Sequence, residues 1–192
     1  MKLDALGWLE AGAGISRMPS PNCDPRPAGE AICLLVLHNI SLPPGQFLNG
    51  FVGDLFLNRL DTTADPWFSN VVGLRVSAHF LIDRHGNITQ FVGCEQRAWH
   101  AGVSVFAGRE RCNDFSIGIE LEGTDDLPFT QAQYDRLAEL TDCLRRRYPL
   151  SAVRGHSHIA PLRKTDPGAC FDWPRYARMT GWPPDALPNE IA

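Results

Sequence analysis

Between Gly155 and Gly168 the chain reads GHSHIAPLRKTDPG, a stretch that packs two histidines, a lysine and an aspartate among prolines and glycines. A packed core has no use for that mixture, and the prolines and flanking glycines argue against a regular helix. Neutral imidazole and carboxylate are ligands that zinc accepts, and a catalytic zinc site takes three protein ligands and leaves a position for water. The stretch offers two ligands, so a third has to come from elsewhere. Two other polar residues sit where core elements should end. His38 follows the apolar run AICLLVL (residues 31–37), which suits a strand buried on both faces. Glu120 lies in FSIGIELE (residues 115–122), where Phe115, Ile117, Ile119 and Leu121 alternate with Ser116, Gly118, Glu120 and Glu122. Period two places the apolar set on one face and both glutamates on the other. A glutamate inside a strand is costly unless solvated or paired, which makes Glu120 a candidate cleft wall; Glu122, beside Gly123, is expected at the exposed strand end.

The rest of the chain must position these groups. With 192 residues, 44% hydrophobic and 21% charged, it has the size and composition of one folded domain, residues 1–192. A formal charge of -4, with no basic run beyond Arg145–Arg147, argues against a nucleic-acid partner. Asp4 and Glu10 interrupt what would have to be the apolar core of a secretory signal, and no apolar run approaches a membrane span. The expectation is a cytoplasmic, monomeric protein. Cys23, Cys33, Cys94, Cys112, Cys143 and Cys170 are scattered without a Cys-x-x-Cys pair and are expected to be reduced thiols.

Residues 1–30, with four prolines after Ser16, are expected to form an extended arm packed on the domain. SLPPG (residues 41–45) reads as a turn leading into a short, Gly-interrupted helix, and Trp67 and Phe68 as an aromatic pair in the core, with a cleft-lining alternative for Trp67. Residues 76–83 and 88–92 flank Arg84-His85-Gly86-Asn87 and predict an antiparallel hairpin, with His79 structural and His85 in the exposed turn. Residues 93–112 read as a long loop in which Trp99 and His100 either face a ligand or anchor the loop, and Arg111 could fork onto a carboxylate. The helix over residues 130–148 is signalled by a Thr130/Gln133 capping box, a Phe129/Tyr134 staple, apolar Leu137, Leu140 and Leu144 on one face, and Pro149 as a stop. Arg145–Arg147 complement its negative end. Asp172 is expected to cap a last helix, WPRYARM.

Taken together, VLHNISLPPG, LRVSAHFLID, RAWHAGVS, RERCNDFSIGIELEGTD and GHSHIAPLRKTDPG closely resemble the AmpD-type 1,6-anhydro-N-acetylmuramyl-L-alanine amidases. These belong to a wider group of zinc amidases that includes peptidoglycan recognition proteins. The resemblance implies an α/β fold with a central mixed β-sheet flanked by helices. It implies Zn2+ held by His38, His156 and Asp166, with Glu120 as general base and then acid and Lys164 beside the oxygen that becomes negative. It also implies that Asn39, Arg75, Trp99, His100 and Arg111 hold the sugar and peptide of a small muropeptide, whose lactyl–L-alanine amide is cut. One residue departs from the pattern: His158 stands where Asp or Asn is expected. On an extended segment it would share a face with His156 and rival it as a ligand or tune it, although the Gly-His motif selects His156. Two other readings use the same fold: a muropeptide-binding sensor that does not cut, and a periplasmic amidase acting on intact peptidoglycan.

Overall fold

The computed structural model describes residues 1–188. They contain ten strands and four α-helices. The strands are β1 (Ile15–Arg17), β2 (Cys23–Pro25), β3 (Leu34–Ile40), β4 (Phe80–Ile82), β5 (Ile88–Gln90), β6 (Gln96–Ala98), β7 (Val105–Phe106), β8 (Arg109–Glu110), β9 (Ser116–Glu122) and β10 (Ala152–Gly155). The helices are α1 (Phe51–Phe56), α2 (Gln131–Arg147), α3 (His156–Ile159) and α4 (Trp173–Thr180). Six strands form the central sheet in the order β1-β5-β4-β9-β3-β10. Only β4 and β5 run antiparallel; the other neighbours are parallel, so the sheet is mixed as expected.

The alternation in residues 116–122 is realised in three dimensions. Ile117, Ile119 and Leu121 enter the main core with Tyr134, Leu137, Leu140 and Leu144 of α2. The helix begins as its sequence predicts: Thr130 Oγ1 accepts from Gln133 N–H, and Gln133 Oε1 accepts from Thr130 N–H. Asp172 caps α4 by accepting from Arg175 N–H at 2.8 Å. On the opposite face, α1 and the 3₁₀ turn Pro66–Val71 pack Phe56 and Phe68 against Phe91 and Ala78. Of the predicted aromatic pair, Phe68 lies inside this core, and Trp67 packs against it while also lining the cleft.

Three expectations need correction. The N-terminal segment does not merely lie over the domain: β1 extends the central sheet beside β5, and β2 pairs with β6 inside what reads as a loop. Its Arg26 reaches further, donating to the carbonyls of Cys94, Asn113, Asp114 and Ser116 at 2.8–3.0 Å. Glu122 is buried, not exposed. Its two carboxylate oxygens accept from the backbone N–H of Leu48 (2.6 Å) and Arg84 (3.2 Å), which ties two surface turns to the end of β9. Finally, residues 156–159 form one helical turn where the glycines and prolines predict none. The prolines stand at positions 161 and 167, outside that turn, and so do not block it.

Candidate metal centre

Three adjacent parallel strands, β9, β3 and the edge strand β10, deliver the site. In β3 and β9 His38 is registered with Glu120, and in β3 and β10 Leu37 is registered with Gly155. His156, one residue on, therefore emerges beside His38 at the carboxyl ends of the strands, where open α/β sheets place their ligand crevices. The segment after His156 then doubles back. Ser157 N–H donates to the carbonyl of Asp166 at 2.9 Å, and the Pro167 ring lies so close to Gly155 that a Cβ there would meet it at 2.5 Å. Ten residues apart in sequence, His156 and Asp166 thus become neighbours.

Nδ1 of His38, Nδ1 of His156 and Oδ2 of Asp166 lie 2.9–3.1 Å from one another. Nε2 of His156 faces the Ala101 carbonyl at 3.0 Å. A carbonyl can only accept, so this nitrogen carries the proton and a neutral ring keeps a lone pair on Nδ1. That lone pair points at a carboxylate and at another imidazole nitrogen. Three such atoms this close in a largely buried pocket are held together by a proton on His38 Nδ1 or by a cation among them, and two imidazoles with one carboxylate suit a divalent transition metal. The trio could hold such an ion.

The electrostatics favour the ligating forms. Burial lowers the pKa of His38 to about 4, against the raising effect of Asp166, so its imidazole is neutral at pH 7. Burial by itself would raise Asp166, but the imidazoles of His156 and His38 outweigh it and hold the carboxyl below its usual range. Glu120 moves the other way: burial, then the charge of Asp166, push its pKa well up, while Lys164 opposes them. Its Oε2 is a buried oxygen without a hydrogen-bond partner among the described residues. A desolvated, unpaired carboxyl in a cleft wall is poised to exchange a proton with whatever enters.

A cleft of about 590 Å³ brings together His38, Asn39, Trp99, His100, Glu120, His156, Lys164 and Asp166. Asn39 Nδ2 donates to Asp125 Oδ1 at 2.7 Å, which orients the amide on the cleft floor. Arg75 stands outside this cleft and lines an adjoining depression of about 120 Å³. Arg111 lines neither; it is 69% exposed and pairs with Asp114 at 3.2 Å. His100 borders the cleft but turns both ring nitrogens inward, onto His38 and Ser116.

His158 does not rival His156. Residues two apart on a helical turn face different directions, and His158 folds back so that its Nδ1 accepts from Gly155 N–H at 2.9 Å while its ring meets Trp173 edge-on. His158→Ala is therefore expected to keep full metal content by elemental analysis and to lose about 0.5–2 kcal/mol of stability in a denaturant titration, the cost of a helix cap. Metal loss in that variant would restore it as a ligand.

Asp125 and the Ala101 carbonyl are site elements that the sequence reading misses. Asp125 lies in a polar turn with nothing to distinguish it from Asp126, and a backbone carbonyl has no side-chain signature.

The profile of N-acetylmuramoyl-L-alanine amidases matches residues 29–169. The AmpD 1,6-anhydro-N-acetylmuramyl-L-alanine amidase of Citrobacter freundii is 56% identical over 175 residues, covering 90% of this chain and 92% of that protein. The chain belongs to the N-acetylmuramoyl-L-alanine amidase family. The amidase fold is seen directly in the crystal structure of a selenomethionine AmpD derivative, with a TM-score of 0.89 and 55% identity over 93% of this chain and 99% of that one. The Escherichia coli amidase AmiD, solved with anhydro-N-acetylmuramic acid-L-Ala-D-gamma-Glu-L-Lys, is more distant. It has 30% identity and a TM-score of 0.58, over 79% of this chain and 59% of that one. No described helix of this amidase is long and apolar enough to cross a membrane.

Proposed function

We propose that this amidase is a zinc enzyme that hydrolyses the amide between the lactyl group of 1,6-anhydro-N-acetylmuramic acid and the L-alanine of the stem peptide. The observation that carries the reading is the convergence of His38, His156 and Asp166 beside an unpaired, buried Glu120 in one cleft. It favours hydrolysis over binding alone, since a sensor needs neither a ligand trio nor a desolvated proton acceptor. High identity to AmpD over nearly its whole length favours anhydromuropeptides over intact peptidoglycan. A cytoplasmic, monomeric, single-domain enzyme working on recycled fragments goes with that reading as part of the proposal.

Zinc, when bound, supplies Lewis-acid polarisation of the scissile carbonyl and makes water a better nucleophile near neutral pH. Glu120 takes a proton from the attacking water as its oxygen adds to the carbonyl carbon, then hands that proton to the alanine nitrogen as the C–N bond breaks. The raised pKa of Glu120 suits both halves of the exchange. Lys164 faces the same cleft and places an ammonium near the carbonyl oxygen as it gains negative charge. Asn39 and Trp99 offer an oriented amide and a flat apolar face to the substrate, and Arg75 extends the binding surface into the adjoining depression. Arg111, exposed beside Asp114, keeps its proposed part as a fork for the peptide's carboxylates.

The test is mass spectrometry of anhydro- and non-anhydro-muropeptides incubated with zinc-loaded protein. Cleavage should add one water and release a peptide with a free L-alanine amine. Chelation should abolish it and zinc should restore it. Undiminished cleavage after exhaustive chelation would rule out the metal mechanism, and equal turnover of intact sacculi would remove the preference for recycled fragments.

A further inference from the structure

Four imidazoles stand in a row from the metal centre into the protein. Ring centroids of His156 and His38 are 4.5 Å apart, those of His38 and His100 5.1 Å, and those of His100 and His79 5.8 Å, every pair edge-to-face. Sequence alone gives no reason for four of the six histidines to line up. The contacts do: Nε2 of His38 meets Nδ1 of His100 at 3.0 Å, and Nε2 of His100 meets Oγ of Ser116 at 3.3 Å. His79, the last of the row, accepts from Gly118 N–H through Nδ1 at 3.0 Å, and its Nε2 lies 3.1 Å from both the Gln96 carbonyl and Nη2 of Arg26.

From His38 through His100 to Ser116 the hydrogen-bond polarity has one consistent direction. A His38 that gives its Nδ1 lone pair to a metal must carry its ring proton on Nε2. That N–H faces Nδ1 of His100, which then accepts, so His100 carries its own proton on Nε2 and directs it at Ser116. Gly118 makes the arrangement possible. It lies mid-strand with no positive φ to demand a glycine, yet a Cβ there would come within 2.5 Å of the His100 ring. Gly in a strand interior weakens the strand and marks a close approach, and here the approaching group is this imidazole.

We propose that His100 is a positioning residue of the metal centre: by accepting the Nε2–H of His38 it fixes that ligand's tautomer and ring angle, with Gly118 as the cradle that seats it. This moves His100 from substrate contact to ligand support, and it rests on the reading of His38, His156 and Asp166 as a zinc site. Partners of this kind orient ligand histidines and raise their basicity.

Leucine and asparagine have nearly the same shape, but only asparagine carries an acceptor, Oδ1, where Nδ1 of histidine stands. Zinc affinity is measured by competition with a chromophoric chelator in wild type, His100→Leu, His100→Asn and Gly118→Ala. In parallel, 15N-histidine NMR of the zinc-loaded proteins reads the His38 tautomer and the exchange protection of its Nε2–H. Zinc binding should weaken about 10- to 100-fold in His100→Leu and recover most of that in His100→Asn. Gly118→Ala, which keeps the imidazole but displaces it, should weaken binding in the same direction. The protected His38 Nε2–H signal should persist in wild type and His100→Asn and be lost in His100→Leu. Equal zinc affinity of the leucine and asparagine variants, or an Nε2–H equally protected in both, overturns the proposal while leaving the zinc site standing. Failure of the wild type to bind one zinc per chain overturns the site and the proposal together.

Discussion

Glu120→Gln should retain one metal ion per chain and a native thermal transition while its turnover of muropeptide falls by about 10²–10⁴-fold, the usual contribution of a positioned general base. Glutamine keeps the volume and one carbonyl oxygen in the cleft wall but can neither take up nor release a proton. Burial already disfavours the charged form of Glu120, so the neutral amide suits the pocket, and the variant is expected to be no less stable than the parent. Rates from single-turnover assays, with metal content measured on the same sample, separate this outcome from loss of the ion. Turnover within a few-fold of wild type would transfer the proton-handling role to another group.

The second large effect lies away from the chemistry. Arg26→Met should lower the stability of the fold by about 3–5 kcal/mol, read as a reduced denaturant midpoint with an unchanged slope. Methionine can fill the channel that the aliphatic stem occupies, but it leaves the carbonyls of Cys94, Asn113, Asp114 and Ser116 without their shared donor. An orphaned carbonyl costs about 1–3 kcal/mol when fully buried, and since these bonds are part-buried, access of water keeps the sum below a simple fourfold total. Arg26→Lys should recover little, since a single ammonium cannot spread over four acceptors as the planar guanidinium does. A midpoint unchanged in Arg26→Met would show that water replaces the guanidinium at no cost.

How far the sequence discloses this molecule depends on whether a residue's role is local. The start of α2 is local: Thr130, Gln133 and the apolar stripe lie within one segment, and the helix forms where they predict. The position of His38 is nearly so, because a fully apolar strand has to end at its first polar residue. The stretch that holds His156 and Asp166 is legible because a packed core has little use for its mixture of residues, and it is the family resemblance that picks out these two. What stays hidden depends on partners distant in sequence. Glu122 reads as exposed because the two N–H groups that satisfy it come from residues 48 and 84. His158 reads as a rival ligand because proline and glycine suggest an extended loop, while one turn of helix rotates it towards Trp173. Gly118 did carry a signal, a glycine inside an otherwise regular strand, but the sequence does not say which group approaches it.

The N-terminal strands carry a further consequence. The family profile begins at residue 29, so β1, β2 and Arg26 all precede it. A chain cut back to that boundary would keep every proposed ligand and lose the strand that covers β5. The bared edge of β5 offers unpaired N–H and C=O groups to any other strand, the starting condition for edge-to-edge aggregation. Insolubility of such a fragment would then reflect an open sheet margin and not a defect in its metal chemistry.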